Sequence, residues 1–191
     1  MRNFLSHLPR KTLTVTIVGV ATLVAATAAI AGNITATATV NGAGSLGLSH
    51  GATAAIGTVT IDGTDQSVAY TIPLSITDVR GNGAGWNATI TSTSFSDGSG
   101  HSLATSASSV SAVAVACVAG GSCTNPTSAV AYALAVPAGA TAPTAVKLFD
   151  AAANTGMGRF TVTPTINVGI PGNVYAGTYN STVTVAVVSG P

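Results

Sequence analysis

Asp78, Arg80 and Trp86 place a carboxylate, a guanidinium and an indole within nine residues of a chain that is otherwise poor in charge. Asp78 and Arg80 are two residues apart, so on an extended strand they share a face and can pair with each other or with loop backbone groups. Glycines at 81, 83 and 85 permit positive φ and close approach. Trp86 is either a core aromatic or an exposed anchor, and a single tryptophan is more often core. The stretch predicts a hairpin with a wide loop, and Trp86, Asp78 and Arg80 are its candidate binding residues.

Two other polar clusters could do chemistry, and both are typical of turns. Residues 96–102 (SDGSGHS) bring serine, aspartate and histidine together, but a hydrolytic triad is assembled in space rather than within one loop. Their turn-forming composition favours a polar hairpin loop. Asp62 and Asp65 could offer oxygens to calcium, but two acids beside a glycine fall short of a calcium-loop spacing, so we expect an Asp-Gly turn.

Motifs for catalysis or cofactor binding are missing from the sequence. It has no G-x-S-x-G elbow, no H-E-x-x-H, no P-loop and no dinucleotide fingerprint. All five acidic residues are aspartates, so no glutamate is available for paired-carboxylate chemistry. We therefore expect no enzyme, no cofactor and no metal site.

Cys117 and Cys123 are the only cysteines, in the segment CVAGGSC. In an exported chain such a pair predicts a disulfide that closes a small loop. Metal binding and redox chemistry are the alternatives, but further ligands are lacking nearby and the spacing is not C-x-x-C.

The N-terminus is typical of a secretory signal peptide over residues 1–31. Arg2, Arg10 and Lys11 precede an apolar run (13–31) that ends in Ala-Ile-Ala, a pattern typical of cleavage, although a retained membrane anchor is the alternative. After cleavage, three basic residues and five aspartates remain, a formal net charge of −2. This balance excludes a nucleic-acid footprint and a polybasic membrane anchor. We expect a secreted protein at the cell surface.

The rest of the chain, 32–191, suits one domain built from strands. Period-two alternation with β-branched residues recurs, separated by Gly, Pro, Asn and Asp turns. The predicted strands are 33–40, 57–63, 67–79, 86–95, 108–118, 128–136, 158–168 and 177–188. About eight such strands favour an all-β fold, an antiparallel β-sandwich or a related barrel, preceded by the signal-peptide helix.

Three further expectations concern local structure. Pro73 lies within the predicted strand 67–79 and indicates an edge or a bulge. Residues 144–156 are the one place where a short helix would fit, and residues 42–55 are expected to be an extended connection.

Two stretches resemble the WxL-domain family of bacterial surface proteins. Asp78-Val79-Arg80-Gly81 and Gly85-Trp86, followed by a Thr-rich strand to Phe95, look like the first family signature. Residues 176–191 (AGTYNSTVTVAVVSGP) are similar to the closing strand, and the resemblance covers roughly 34–191. It implies non-covalent attachment to the cell wall through peptidoglycan, as in Gram-positive bacteria.

The resemblance is to a divergent form of the family. Ala88 occupies the leucine place of the first Trp-x-Leu, and Val185-Ala186-Val187 stands where the second is expected. Two hypotheses follow. The first is a secreted wall-associated β-sandwich whose partners are wall polymer or other surface proteins. The second is a self-associating subunit of an extracellular fibre or coat, in which the strand after the signal peptide adds to a neighbour's sheet edge.

Overall fold

The structure is a computed structural model that describes residues 35–191. The chain divides into two units, residues 1–39 and 40–191. In the first unit only residues 35–39 are described, and they are exposed and belong to no strand or helix. The predicted signal peptide, its helix and the start of the predicted strand 33–40 lie outside the described residues.

The second unit is built from ten strands in two sheets. They are β1 (Leu46–His50), β2 (Gln66–Thr71), β3 (Leu74–Asp78), β4 (Trp86–Thr93), β5 (Ser108–Cys117), β6 (Leu134–Ala135), β7 (Ala138–Gly139), β8 (Val146–Ala151), β9 (Gly158–Ile170) and β10 (Val183–Ser189). All pairs are antiparallel except β4 with β7. Within residues 35–191 no helix is present. The expected all-β sandwich is confirmed.

The long strand β9 is the spine of the six-stranded sheet. It pairs with β5 on one side and with β3 and then β2 on the other, while β1 extends the sheet beyond β3 and β6 extends it beyond β5. Pro73 separates β2 from β3, and this gap lies beside Pro164 of β9, because Leu74 pairs with Val162 and Thr71 with Thr165. Neither proline has an N–H to donate, so both lie where the ladder is interrupted. Pro73 was expected to mark an edge or a bulge in one strand, and instead it lies between two strands.

The four-stranded sheet is organised around β4. β10 pairs with β4 from Val183 opposite Ser92 to Ser189 opposite Trp86. On the other side of β4, β8 covers its first half and β7 its end, with a register shift at Ala88/Thr89. The strand that begins at Trp86 is therefore held on both edges.

The core lies between the sheets because apolar side chains alternate along the facing strands. The largest fully buried side chains are Trp86, Phe160, Leu74, Ile76, Ile90, Leu148, Ile166, Val110, Val162, Val168 and Pro164. The rings of Trp86 in one sheet and Phe160 in the other have centroids 6.4 Å apart. Outward-facing positions are largely Thr, Ser and Ala, and the hydroxyl groups of Thr and Ser hydrate the surface although it carries few charges.

Two expected strands and one expected helix are wrong. Residues 35–40 and 57–63 form no strand, and residues 146–151, expected to be helical, form β8 instead. Residues 146–149 (VKLF) pair with the edge of β4, so tertiary pairing outweighs the local helical tendency. For 35–40 the alternation is strand-like, but none of the described strands pairs with it.

The remaining differences concern boundaries. The expected connection 42–55 contains β1, whose Leu46 and Leu48 alternate with glycine and serine and so give a diluted strand signal. In place of the expected strands 128–136 and 177–188 the structure has the shorter strands β6 and β10, because only those residues pair with another strand.

Candidate functional site

The candidate site lies at the end of the sandwich where β3 ends and β4 begins. Asp78 is the last residue of β3 and Trp86 the first of β4, with Arg80 and a glycine-rich loop between them. The polypeptide returns to this end at the close of β10, because Ser189 pairs with Trp86. The expected hairpin is wrong: strands flank the loop as predicted, but β3 and β4 lie in different sheets and do not pair, because each finds other partners.

Asp78 and Arg80 form a two-pronged ion pair. Arg80 Nε donates to Asp78 Oδ1 and Nη2 donates to Oδ2, each at 2.9 Å, and the Arg80 backbone N–H also donates to Oδ1 at 3.2 Å. The Asp78 side chain is 1% exposed and that of Arg80 12%. The hydrogen bonds from the Arg80 side chain lower the pKa of Asp78, because they stabilise the carboxylate. Asp78 therefore stays ionised although it is buried.

The same guanidinium reaches two other segments. Arg80 Nη2 donates to the carbonyl oxygen of Gly85 at 2.7 Å, and Nη1 donates to Ser189 Oγ. The planar fork of arginine suits this task, since its donors point in fixed directions. Arg80 thus ties the end of β3, the end of the loop and the last residue of β10 together.

Glycines in the loop are required by close contact with residues 151–154. Gly85 has φ +68°, and an added Cβ would collide with the carbonyl oxygen of Ala151. At Gly83 an added Cβ would lie 2.6 Å from Asn154 Oδ1, and the Asn154 N–H donates to the Gly83 carbonyl at 2.8 Å. The loop is therefore packed on a second loop, with Gly81 and Asn82 at its exposed tip.

Trp86 is a core residue and not an exposed anchor. Its side chain is fully buried, Nε1–H donates to the carbonyl oxygen of Gly156 at 2.9 Å, and its ring lies 5.7 Å from that of Phe149. Gly156 has φ +68° and leaves no room for a side chain beside the indole. Trp86 can act on a ligand only through the loops that it supports.

The two stretches that carry the family resemblance lie on neighbouring strands. In the β4–β10 pairing, Ala88 lies opposite Val187 and Ile90 opposite Val185. Ala88 is buried and Val187 is half-buried. Both leucine places are therefore filled by smaller apolar side chains that still face inward.

A family model decides the assignment. It describes a WxL domain, a surface cell wall-binding domain, and matches residues 43–190, from just before β1 to just after β10. The chain belongs to the WxL domain family. The curated proteins and the solved structures each yielded no match to it.

The WxL domain uses its other polar clusters for local structure. Asp97 Oδ2 lies 2.6 Å from His101 Nδ1, and the imidazole stacks on Tyr175 with centroids 3.9 Å apart. Asp62 accepts hydrogen bonds from the N–H and the hydroxyl of Thr64, which is a turn. Within residues 35–191 no group of three or more His, Cys, Asp or Glu could hold a metal.

The cysteine pair forms a disulfide. Cys117 at the end of β5 is bonded to Cys123, with Cα atoms 6.1 Å apart. Among residues 35–191 there is no helix long and apolar enough to cross a membrane.

Asp78, Arg80 and Trp86 could be named from the sequence, but the distant residues that they and the loop between them contact could not. Ser189, Gly156 and Asn154 were missed because their roles come from contacts over 70 to 109 residues. The glycine pair in NTGMG (154–158) was the one available signal, since glycine often marks close backbone approach.

Proposed function

We propose that residues 1–31 are removed on export and that the remaining chain, 32–191, is a secreted, non-enzymatic protein held non-covalently on peptidoglycan. The pairing of β4 with β10 carries this proposal, since it brings both family signature stretches side by side, with Arg80 joined to each. Membership of a surface cell wall-binding family supports the location.

The tip of the loop 81–85 is the proposed contact surface. Gly81 and Asn82 are exposed there, while Asp78 and Arg80 fix the base of the loop. Trp86, through its bond to Gly156, holds the neighbouring loop on which the loop 81–85 packs. Asp78, Arg80 and Trp86 are thus positioning residues. The tip presents one side-chain amide and exposed backbone groups. Such a surface suits a glycan, whose hydroxyls and amides are donors and acceptors.

A wall pull-down tests the proposal. The exported chain is incubated with purified sacculi from its host, and we expect it to sediment with them. Asn82→Trp should lower the retained fraction because a bulky side chain at the loop tip blocks approach. Asn173→Trp, at an exposed turn next to β9, is the matched control and should bind as the unchanged chain does. A chain that stays in the supernatant overturns the proposal.

A second candidate is a structural subunit of an extracellular fibre or coat, with other copies or other surface proteins as partners. The observation that favours it is the outer edge of β10. Among residues 35–191 no strand pairs with that edge, and β10 contains no charged residue. Negative-stain images of concentrated exported chain test this candidate, and uniformly single particles under host conditions would contradict it.

A further inference from the structure

The outer edge of β10 lacks the usual protection against pairing. Its seven residues (VTVAVVS) include no lysine, no proline and no bulge, which are the common means of blocking an edge. Val183, Val185 and Val187 are only half-buried, and Val188 is 49% exposed. The edge therefore offers both unpaired backbone groups and apolar side chains.

An opening between the two sheets adjoins one end of this edge. A cavity of about 340 Å³ is lined there by Tyr70 of β2, by Ile72 just after it, by Phe95, and by Val183 and Val185 of β10. Leu46 and Leu48 of β1, which lies near β10, are also only half-buried. The sandwich is therefore incompletely closed on this side, and another apolar strand would cover it.

Residues 34–40 (ITATATV) have the composition of such a strand. Ile34, Ala36, Ala38 and Val40 alternate with threonines, and the segment has no charge. It matches β10 in length, at seven residues. Residues 35–40 are exposed and unpaired with any described strand, and Val40 is 92% exposed. The segment therefore has the length and the alternation of a β-strand.

The attachment point of this segment and the opening lie at opposite ends of β10. The chain enters the sandwich at Gly42, which packs so closely on the Arg80 carbonyl that an added Cβ would collide with it. Arg80 also bonds Ser189, at the C-terminal end of β10, whereas the cavity surrounds Val183 at the N-terminal end. A segment that leaves one end of a copy and fills the other end of the next gives a head-to-tail contact, which repeats as an open chain.

We propose that residues 34–40 of one copy add as a strand to the outer edge of β10 of a second copy. Main-chain hydrogen bonds hold the added strand, and its Ala36, Ala38 and Val40 face inward beside the half-buried valines. This inference rests on the second candidate function, the fibre or coat subunit, and names the contact between copies that such a subunit needs. It does not depend on wall binding.

Mixed-disulfide formation between two differently tagged chains tests the contact. Thr37 and Ala186 are the middle residues of the two segments and both are exposed, so in an in-register pairing of either direction they meet on the outer face. Chains carrying Thr37→Cys and chains carrying Ala186→Cys are mixed and oxidised. We expect a disulfide-linked product that carries both tags. Ala114→Cys, an exposed alanine on β5, replaces Ala186→Cys in the matched control and should give none.

Charge substitutions test the orientation of the added strand. Ala38→Lys, on the inward face, should abolish the mixed product, whereas Thr39→Lys, on the outward face, should preserve it. Equal effects of the two substitutions would overturn the proposed facing.

Two results overturn the proposal as a whole. The first concerns a chain that carries both Thr37→Cys and Ala186→Cys. If it forms only an intramolecular disulfide between these two cysteines, the segment pairs with β10 of its own copy. The second is the lack of any mixed product. If filaments still form in that case, the fibre candidate stands and its contact is a different one. Sedimentation with sacculi in the same samples measures wall binding separately.

Discussion

Arg80 organises the candidate site because one side chain satisfies three partners. Its guanidinium forms an ion pair with the buried carboxylate of Asp78. It also donates hydrogen bonds to the carbonyl oxygen of Gly85 and to the hydroxyl of Ser189, the last residue of β10. Breaking a buried ion pair leaves an uncompensated charge, so neither partner can be removed cheaply. The sequence predicted that Asp78 and Arg80 share a face, because spacing of two on a strand dictates it. It could not predict Ser189, which lies 109 residues away.

Gly156 controls the environment of Trp86, and its substitution should be costly. In Gly156→Ala the new Cβ would lie 2.5 Å from Ala151 Cβ and 2.6 Å from Trp86 Nε1, at a φ of +68°. Left-handed strain and overpacking together should lower the free energy of unfolding by about 3 kcal/mol. Urea unfolding followed by circular dichroism measures the loss.

Gly98→Ala is the matched control for that substitution. Gly98 also has positive φ, at +73°, but its Cβ would meet nothing within 4 Å. Only the backbone strain remains, so we expect a loss of about 1 kcal/mol. Equal losses for the two variants would contradict the close packing around the indole.

At the scale of elements, alternation predicted best those strands that are central in a sheet. β4, β5 and β9 follow the expected ranges closely, because each is paired on both sides and its pattern agrees with its burial. Edge elements were predicted worse. β8 was mistaken for a helix and β1 for a connection, since their strand character depends on the neighbour that each one meets. The register between paired strands could not be predicted from sequence without knowing which strands pair. The same holds for the position of Pro73 beside Pro164 of β9.

The disulfide at the end of β5 should be a modest local support. Backbone hydrogen bonds from Val118 to Arg159 and from Thr124 to Met157 already hold both sides of the closed loop. Replacing Cys117 and Cys123 by serine should therefore cost at most about 2 kcal/mol, the chain-entropy value for so small a ring. Urea unfolding of the double variant against the oxidised chain measures this cost. A variant that fails to fold would contradict the local role.

At the scale of the whole molecule, the scarcity of charge makes individual ion pairs prominent. The chain has only eleven charged residues, and the described part holds one Lys/Arg–carboxylate pair, between Arg80 and Asp78. Solubility is maintained by hydroxyl-rich strand faces instead. Electrostatic effects on stability should therefore concentrate at the candidate site.

Stability should fall on acidification because the pKa of Asp78 is lowered by its bonds to Arg80. A carboxyl group with a depressed folded-state pKa stabilises the fold above its unfolded pKa of about 3.9, and this contribution is lost as pH falls through the folded value. Asp78→Asn should remove that part of the acid dependence and cost about 3 kcal/mol at neutral pH.

Asp97→Asn is the control for the acid dependence. The Asp97 pKa is also lowered, chiefly by the side-chain hydrogen bond to His101, but this pair is far more open to solvent. Its loss should be smaller because water screens the interaction. Thermal unfolding between pH 2 and 7 is the measurement (a range set about the carboxyl pKa), and an unchanged acid limb in Asp78→Asn would contradict the assignment.

Because the only indole of the chain is sealed where the two sheets meet, the molecule carries its own optical probe. Ultraviolet emission excited at that ring comes from a dry environment in the native state and shifts to longer wavelength when water enters. The spectrum therefore follows the separation of the layers without any dye. A variant in which only loops remote from Gly156 loosen, while the layers stay together, would keep its native emission.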